Sequence, residues 1–233
     1  MRFLSALIND IRHQMKYGFY FLYAFFSAIY IAALLLCPQE YKKIVASIVV
    51  LTDPAMLGSF FIGGIWLLEK GEGLHSYLGI SPLCPIEYIL SKAVSLAIIS
   101  TVSADIIIMI GLRAAANYFA LSIGVFIGSM IFTTVGLIVA SHARSVNQYM
   151  LLVSPLEVIV TLPPILAVFG ITHPALDVIP GMALWRIIGC SVGMTDSAGI
   201  WLHIILFLWL GIIFFLANRR IPKALLMEGG EKA

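Results

Sequence analysis

The sequence predicts an all-α integral membrane protein with six transmembrane helices. Its 233 residues are 61% hydrophobic and only 11% charged, whereas soluble domains carry roughly a quarter charged residues. Mean hydropathy is +1.03. A soluble domain of this size could not bury so much apolar surface, so a bilayer must solvate the chain. A net charge of +2 without a long basic run predicts no nucleic-acid partner.

Six hydrophobic runs reach the length of about 17–25 residues that a spanning helix needs. They are Tyr17–Cys37, Ile44–Leu68, Ala93–Leu112, Tyr118–Ala140, Met150–Gly170 and Ile200–Ala217. No soluble domain or repeat interrupts them, so we expect residues 1–233 to form a single transmembrane domain. An even number of spans places both termini on the same side of the membrane.

The distribution of lysine and arginine predicts which side that is. Most of these residues, including Lys70, Lys92 and Arg144, fall on the side that holds the termini. The opposite side holds only Lys42, Lys43, Arg113 and Arg186. Cytoplasmic loops carry an excess of basic residues, so both termini are expected in the cytoplasm.

Two segments outside the spans are expected to be short helices. In residues 1–16, the apolar side chains of Leu4, Leu7, Ile8, Ile11 and Met15 recur at helical spacing. This pattern is typical of an amphipathic helix in the cytoplasmic interface, although a fraying polar start is the alternative. Residues 171–198 are too apolar for a free loop and too rich in Pro and Gly to span. A re-entrant helix around Met182–Ile188, dipping into the outer leaflet, fits them better.

The stretch EKGEGLHSYLGISPLCPIEYILSK, residues 69–92, is the most polar segment between two spans. Its GEG sequence ends the second span, because glycine is costly inside a helix. LHSYLG then has room for one or two helical turns closed by Gly79, and Pro85 suits the first turn of the next helix. This elbow, as we call residues 69–92, would display Leu74, Tyr77 and Leu78. Such rigid protrusions usually meet another protein, although a loop without a partner is possible on physical grounds.

Known catalytic and metal-binding patterns are missing from the sequence. It has no G-x-x-x-x-G-K-[ST] loop for ATP and no H-E-x-x-H or G-x-S-x-G motif. Cys37, Cys84 and Cys190 show no ligand spacing, so they read as packed thiols. We therefore expect no enzyme activity, metal or cofactor on this chain itself. The G-x-x-x-G of Gly124–Gly128 predicts close helix packing, either within the chain or across a dimer.

The segment LLEKGEGLHSYLGISPLCPIEYILSKAVSL resembles the loop after the second span in permeases of the type-2 ATP-binding cassette transporter family. Upstream, LTDPAMLGSFFIGGIWLLEKGEG is similar to the small permeases that export fluoroquinolones or multiple drugs. The layout of six spans, interfacial helix and long outer link matches over essentially the whole chain. The resemblance implies an export permease in the cell membrane of a prokaryote.

The same resemblance implies partners and roles for individual residues. Two permease subunits, identical or paired with a sibling, would assemble with two separate ATPase subunits, which hold the ATP and Mg. Glu69 would brace a short coupling helix against the bundle, and the loop SHARSVNQ, with Arg144, would make a second contact. The docking part would be formed by Gly73, Leu74, His75, Tyr77 and Leu78.

Three acids fall inside the spans, namely Asp53, Asp105 and Glu157. A charge at the bilayer centre costs about 2.5–3.5 kcal/mol on insertion scales, so each needs a partner, a proton or a watery cavity. Asp53 precedes Pro54 and either caps a local break or lines the substrate pathway. We expect Asp105 to bond to a Ser or Thr neighbour. Glu157 lies on a span that the resemblance places at the central cavity, where it would hold a cationic or zwitterionic amphipathic substrate.

Two other functions remain open on sequence grounds. A stand-alone secondary transporter or channel would show broken helices at the midplane, and DP in the second span and PP in the fifth could mark such breaks. A membrane-bound enzyme has less support, because no cluster of catalytic residue types is visible.

Overall fold

The computed structural model describes residues 2–75, 77, 83–113, 116–195 and 197–230, with backbone only for residues 227–230. Within these ranges the chain is helical and contains no strand, which confirms the all-α prediction. Two π-helical turns, Leu51–Ala55 and Ile108–Leu112, and one 3₁₀ turn, Pro174–Val178, adjoin the helices. The helices are α1 Arg2–Lys16, α2 Phe19–Leu36, α3 Lys42–Val50, α4 Leu57–Gly71, α5 Pro85–Ile107, α6 Tyr118–Ala140, α7 Val146–Val168, α8 Pro180–Ser191 and α9 Ile200–Gly230.

Six stretches are long and apolar enough to cross a membrane, which confirms the predicted number of spans. They are Phe19–Leu36, Lys42–Gly71, Pro85–Leu112, Tyr118–Ala140, Val146–Val168 and Ile200–Leu226. Helix α5, which forms the third span, starts earlier than the predicted span, at Pro85. There the Glu87 carboxylate accepts the Cys84 N–H at 2.9 Å. The last helix continues beyond Ala217, because Ile221, Ala224 and Leu225 pack into an apolar cluster with α5 and α6. Helix α1 and the described end of α9 both pack near the start of α5, at one end of the bundle, which we call the termini side.

Helix α6 is the centre of the bundle and packs against α4, α5, α8 and α9. Small residues allow this close approach. Leu184 and Ile187 of α8 lie against Gly124 and Gly128, so the G-x-x-x-G motif serves packing within the chain. At Gly136, an added Cβ would meet the Ser59 carbonyl oxygen of α4 at 2.7 Å.

Helix α8 forms where the sequence predicts a short helix, and it is longer than the predicted Met182–Ile188. Its side chains Leu184, Ile187 and Ile188 are buried among the spans. Two indole N–H groups hold α8 and the turn before it in place. The N–H of Trp185 in α8 donates to Ser47 Oγ of α3 at 3.0 Å. That of Trp209 in α9 donates to the Val178 carbonyl at 2.8 Å. The depth of α8 in a bilayer stays a prediction.

Helix α1 is regular from Arg2 to Lys16, as the amphipathic pattern predicts rather than a frayed start. Its apolar residues Leu4, Ile8 and Met15 are exposed, whereas Asp10 and Gln14 are buried. The polar side of α1 thus faces the protein, and its apolar side is free to face lipid. Gly18, with φ of 79°, turns the chain from α1 into α2.

The contact of Gly136 with the Ser59 backbone gives a test of the packing. Gly136→Ala should lower the free energy of unfolding by about 1–3 kcal/mol, because a backbone atom cannot move aside as a flexible side chain can. The matched control is Gly211→Ala in α9, where an added Cβ meets nothing within 4 Å. This control should gain up to about 1 kcal/mol from helix propensity. Thermal unfolding in detergent compares the two, and equal midpoints would contradict the packing described.

Candidate functional site

A buried ion cluster lies on the termini side, where α1, α4 and α5 meet. The Lys92 side chain of α5 is only 3% exposed, and its ammonium lies 2.5 Å from Asp10 Oδ1 of α1. The same ammonium donates to the Glu69 carboxylate at the end of α4. Glu69 also accepts the Tyr88 hydroxyl at 2.7 Å. One cation therefore bonds to two carboxylates from two other helices, so no charge of the three is buried without a partner.

Two further contacts fasten α1 to the same region. The Gln14 amide donates to Ser95 Oγ of α5 at 2.6 Å, and both groups are buried. The Tyr17 hydroxyl, after the end of α1, donates to the Glu72 carboxylate. That hydrogen bond, with the nearby negative charge, raises the pKa of Tyr17. Helix α1 is thus attached to the bundle through polar contacts, although its sequence is amphipathic.

The described part of the elbow is anchored by His75. Gly73, with φ of 74°, turns the chain after α4, and the next described residues, Leu74, His75 and Tyr77, have helical backbone. The His75 ring is buried at 4.2 Å from the Trp66 ring, centre to centre. Its Nε2 lies 3.8 Å from Glu69 Oε2. The predicted positions Leu78 and Gly79 lie outside the described residues.

The elbow residues therefore divide into buried and exposed groups. Glu69 and His75 are buried and join the ion cluster, whereas the Tyr77 ring is 68% exposed. A cavity of about 250 Å³ lies beside Tyr77, between α1, the elbow and α5. Its walls include Leu74, Tyr77, Leu83, Asn9 and His13. Glu69 and Lys92 line the same cavity, so a partner that touched Leu74 or Tyr77 would lie close to this ion pair.

The loop between α6 and α7 forms a second feature on the termini side. Arg144 is exposed there, does not join the ion cluster, and donates its backbone N–H to Gln148 Oε1 at 2.8 Å. Arg220 of α9 reaches the end of α6, where its Nε donates to Ser141 Oγ at 3.2 Å. Its Nη2 donates to the Ser141 carbonyl at 3.4 Å. A cation at a helix C-terminus is favourable, so Arg220 fixes the loop that carries Arg144.

The three acids inside the spans have separate surroundings. Asp105 accepts Ser122 Oγ at 2.8 Å, which confirms the expected Ser or Thr partner. The span does break at the π-helical turn Leu51–Ala55, but Asp53 does not cap α4, which has no side-chain cap. Its carboxylate lies near the Tyr30 hydroxyl of α2. The expected cap is therefore not formed at the start of either Leu51–Ala55 or α4.

Glu157 faces α4, where its carboxylate bonds to Ser59 Oγ. The Ser59 carbonyl accepts the Tyr149 hydroxyl, so α7 meets α4 through two polar contacts. Glu157 and Ser59 lie at the wall of an apolar cavity of about 290 Å³ between α4, α6, α7 and α9. Asp53 does not line this cavity. The two acids proposed for a substrate pathway are therefore not brought together.

Sequence reasoning missed Asp10, Lys92, Ser59 and Arg220. Lys92 stands in the run IEYILSK, which was expected to lead the helix back into the membrane, and it was used only in the count of basic residues. The signal that could have found its role is its position about two turns inside a helix that starts at Pro85. Among the residues that the structure describes, no group of three or more His, Cys, Asp or Glu could hold a metal ion.

A family model for the fluoroquinolones export permease protein family matches residues 1–226. The chain belongs to this family. Two relatives named fluoroquinolones export permease protein come from Mycobacterium tuberculosis, one from strain CDC 1551 / Oshkosh and one from strain ATCC 25618 / H37Rv. Each is 27% identical to this export permease over 199 residues, which cover 84% of both chains. No solved structure matches the chain. With its six apolar spans, this export permease is a multi-pass membrane protein.

The ion cluster of the export permease predicts a strong effect of removing its cation. Lys92→Met leaves the Asp10 and Glu69 carboxylates buried beside each other, so unfolding should become easier by about 3–5 kcal/mol. The triple variant Asp10→Asn, Glu69→Gln, Lys92→Met removes all three charges and should recover much of this loss. Thermal unfolding of purified protein is the measurement, with Lys223→Met on exposed α9 as control. A Lys92→Met midpoint equal to that of the control would contradict the cluster.

Proposed function

We propose that this export permease is the transmembrane subunit of an ATP-driven exporter of the type-2 ATP-binding cassette family. Two permease subunits would work with two separate ATPase chains that hold ATP and Mg. The observation that carries the proposal is the elbow, with an exposed Tyr77 on a helix braced internally by His75 and Glu69. This chain itself contains no phosphate-binding loop, which fits a division of labour between chains.

The geometry supports a path for force from the ATPase into the spans. Closure of the ATPases would press on Leu74 and Tyr77 at the elbow. His75 and Glu69 lie behind them, and Glu69 bonds to Lys92 in the first turns of α5. Because Lys92 also holds Asp10, movement of the elbow would carry α1 and α5 together. A buried ion pair suits this role because breaking it costs more than moving it as a unit.

The placement of the complex follows the charge distribution. Lys70, Lys92, Arg144 and Arg220 lie on the termini side, which favours the cytoplasm for that side. The membrane would be the cell membrane of a prokaryote, and the two relatives come from Mycobacterium tuberculosis. A second permease, identical or a sibling, would cover apolar surface that this chain leaves exposed on α2 and α7, such as Phe21 and Leu151.

For the substrate, we propose an amphipathic compound with a positive charge, exported from the cytoplasm. The relatives are named for fluoroquinolones, and compounds of that kind are candidates. Glu157 is half-buried on α7 beside Ser59 and supplies the negative charge that such a ligand needs. A stand-alone secondary transporter is the competing function, favoured by the π-helical break at Leu51–Ala55 and by three prolines inside α7.

The elbow assignment gives a test of coupling. Leu74→Ala combined with Tyr77→Ala should abolish co-purification with the partner ATPase or lower its stimulated turnover by about tenfold or more, equal to about 1.4 kcal/mol. The permease should still insert, because Tyr77 is exposed and packs little. The control is Tyr41→Ala, whose ring is 57% exposed at the opposite end of the bundle.

Transport in sealed vesicles separates the two candidate functions. Export that requires ATP and the ATPase chains supports the proposal, whereas full transport by the permease alone on an ion gradient would establish the secondary transporter.

The substrate assignment gives a test at Glu157. In the assembled complex, Glu157→Gln should remove most of the ATPase stimulation by cationic amphiphiles, because the amide keeps a hydrogen bond to Ser59 but loses the charge. Stimulation by uncharged amphiphiles should change little. Asp105→Asn is the control, since Asp105 bonds to Ser122 on another pair of helices. Unchanged stimulation by cations in Glu157→Gln would remove Glu157 from the substrate site.

A further inference from the structure

The cavity near Glu157 lies between two spans that make little direct contact. Helices α7 and α9 each pack against α8, but they do not pack against each other along their length. The space between them, about 290 Å³, has Ile159 and Val160 of α7 on one side and Trp209 and Ile213 of α9 on the other. Ile179 and Pro180, at the start of α8, close one end of this space. The result is a cleft in the side of the bundle.

The mouth of the cleft is open at the outer surface of the described bundle. Ile159 is 59% exposed and its neighbour Leu156 is also exposed, although both line the cavity. Deeper in the cleft, Ile213 is buried and almost the whole wall is apolar. An apolar space of this size that opens to hydrocarbon does not stay empty, since its walls gain dispersion contacts from any apolar group that enters.

The charge on the wall limits what that group can be. Among the described residues that line the cleft, Glu157 alone carries an ionisable side chain. No lysine, arginine or histidine is among them, so an anion would find no partner and would pay the full cost of leaving water. A compound with an apolar body and one positive charge could bury its body against Ile213 and Trp209 and place its charge toward Glu157.

Helix α7 is also the wall best suited to move. Pro155, Pro163 and Pro164 lie inside it, and each removes one backbone hydrogen bond from the helix. The Val160 carbonyl, freed by Pro164, lies so close to Gly181 of α8 that any added Cβ would overlap it. The contacts that hold α7 near that point include this close approach to α8 and the hydrogen bonds of Glu157 and Tyr149 to Ser59.

We propose that the cleft between α7 and α9 is a lateral binding site, where the apolar body of an amphipathic cation enters the export permease from the bilayer. The inference rests on the proposed function for the identity of the ligand as substrate. It adds the location of the apolar part of the site and the route by which the ligand arrives.

The test measures binding of radiolabelled tetraphenylphosphonium to the purified permease in lipid nanodiscs, without ATPase. Ile159→Trp and Ile213→Trp narrow the mouth and the interior of the cleft. Each should weaken binding about tenfold, which corresponds to about 1.4 kcal/mol. The matched controls are Val158→Trp and Ile212→Trp, which are neighbours of comparable or greater exposure that do not line the cleft. They should bind like the wild type.

Charge is tested with tetraphenylborate, an anion of nearly the same shape. It should not compete for the site, and Glu157→Gln should weaken tetraphenylphosphonium binding while leaving the fold intact in thermal unfolding. Ile159→Trp lies at an exposed position, so its loss of binding cannot be attributed to misfolding.

Three outcomes would overturn the proposal. The first is equal binding by the cleft variants and their controls, and the second is equal competition by the cation and the anion. The third is that Ile159→Trp and Ile213→Trp change the association of two permease copies instead of ligand binding, which would make the cleft a subunit interface. Because no ATPase is present, the binding assay tests the cleft independently of the coupling test. If the coupling test failed and the binding assay succeeded, the cleft would stand as a binding site and the ATP-driven exporter would not.

Discussion

The structure depends on a single ammonium group. Lys92 lies at the junction of α1, α4 and α5, and its Nζ bonds directly to the carboxylates of Asp10 and Glu69. In a chain with only 11% charged residues, few charged side chains are available for the interior. Here one ammonium bonds to two carboxylates, fixes the end of the second span and attaches helix α1. The contacts of Tyr88 and His75 with Glu69 complete a cluster in which each member constrains the others.

The remainder of the bundle is held by the shapes of small residues. α6 packs closely against α4 at Gly136 and against α8 at Gly124 and Gly128. Within a bilayer the hydrophobic effect does not drive apolar helices together, so their association depends on close packing of this kind. α7 has no glycine of its own and is attached by the bonds of Glu157 and Tyr149 to Ser59, by the Tyr149 ring against Gly63 of α4, and by its contact with Gly181. The bundle therefore combines a closely packed part around α6 with a span that leaves much of its apolar surface exposed, and the cleft lies beside that span.

The sequence predicts much of this fold because its strongest signals are local. Runs of apolar residues predicted all six spans, GEG predicted the end of α4, and Pro85 predicted the start of α5. The third span was predicted to begin at Ala93 because Glu87, Ser91 and Lys92 lower the local hydropathy. The structure shows Ser91 and Lys92 buried with partners, a condition that hydropathy does not register.

The candidate site was predicted only in part, since its main contacts join distant positions. Asp10 and Lys92 are 82 residues apart, and Ser59 and Glu157 are 98 apart. Glu69 was recognised from the motif around it, and its partners were not. Asp53 shows the reverse error: the adjacent Pro54 suggested a cap, while no side-chain cap forms there and the carboxylate lies near Tyr30 of another helix. A single sequence carries no record of which helices become neighbours, and the cleft between α7 and α9 is a property of that arrangement.

The attachment of α1 has a consequence for the order in which the chain is built. Proteins are synthesised from the N-terminus, at about 5–20 residues per second, so α1 leaves the ribosome long before residue 92. During that interval Asp10 and Glu69 have no ammonium partner. The ion cluster that joins α1 to the end of α4 therefore cannot form yet. Once Lys92 has been made, its ammonium can join α5 to both α1 and α4. Helix α1 can therefore take its final place only after the chain has been made as far as α5.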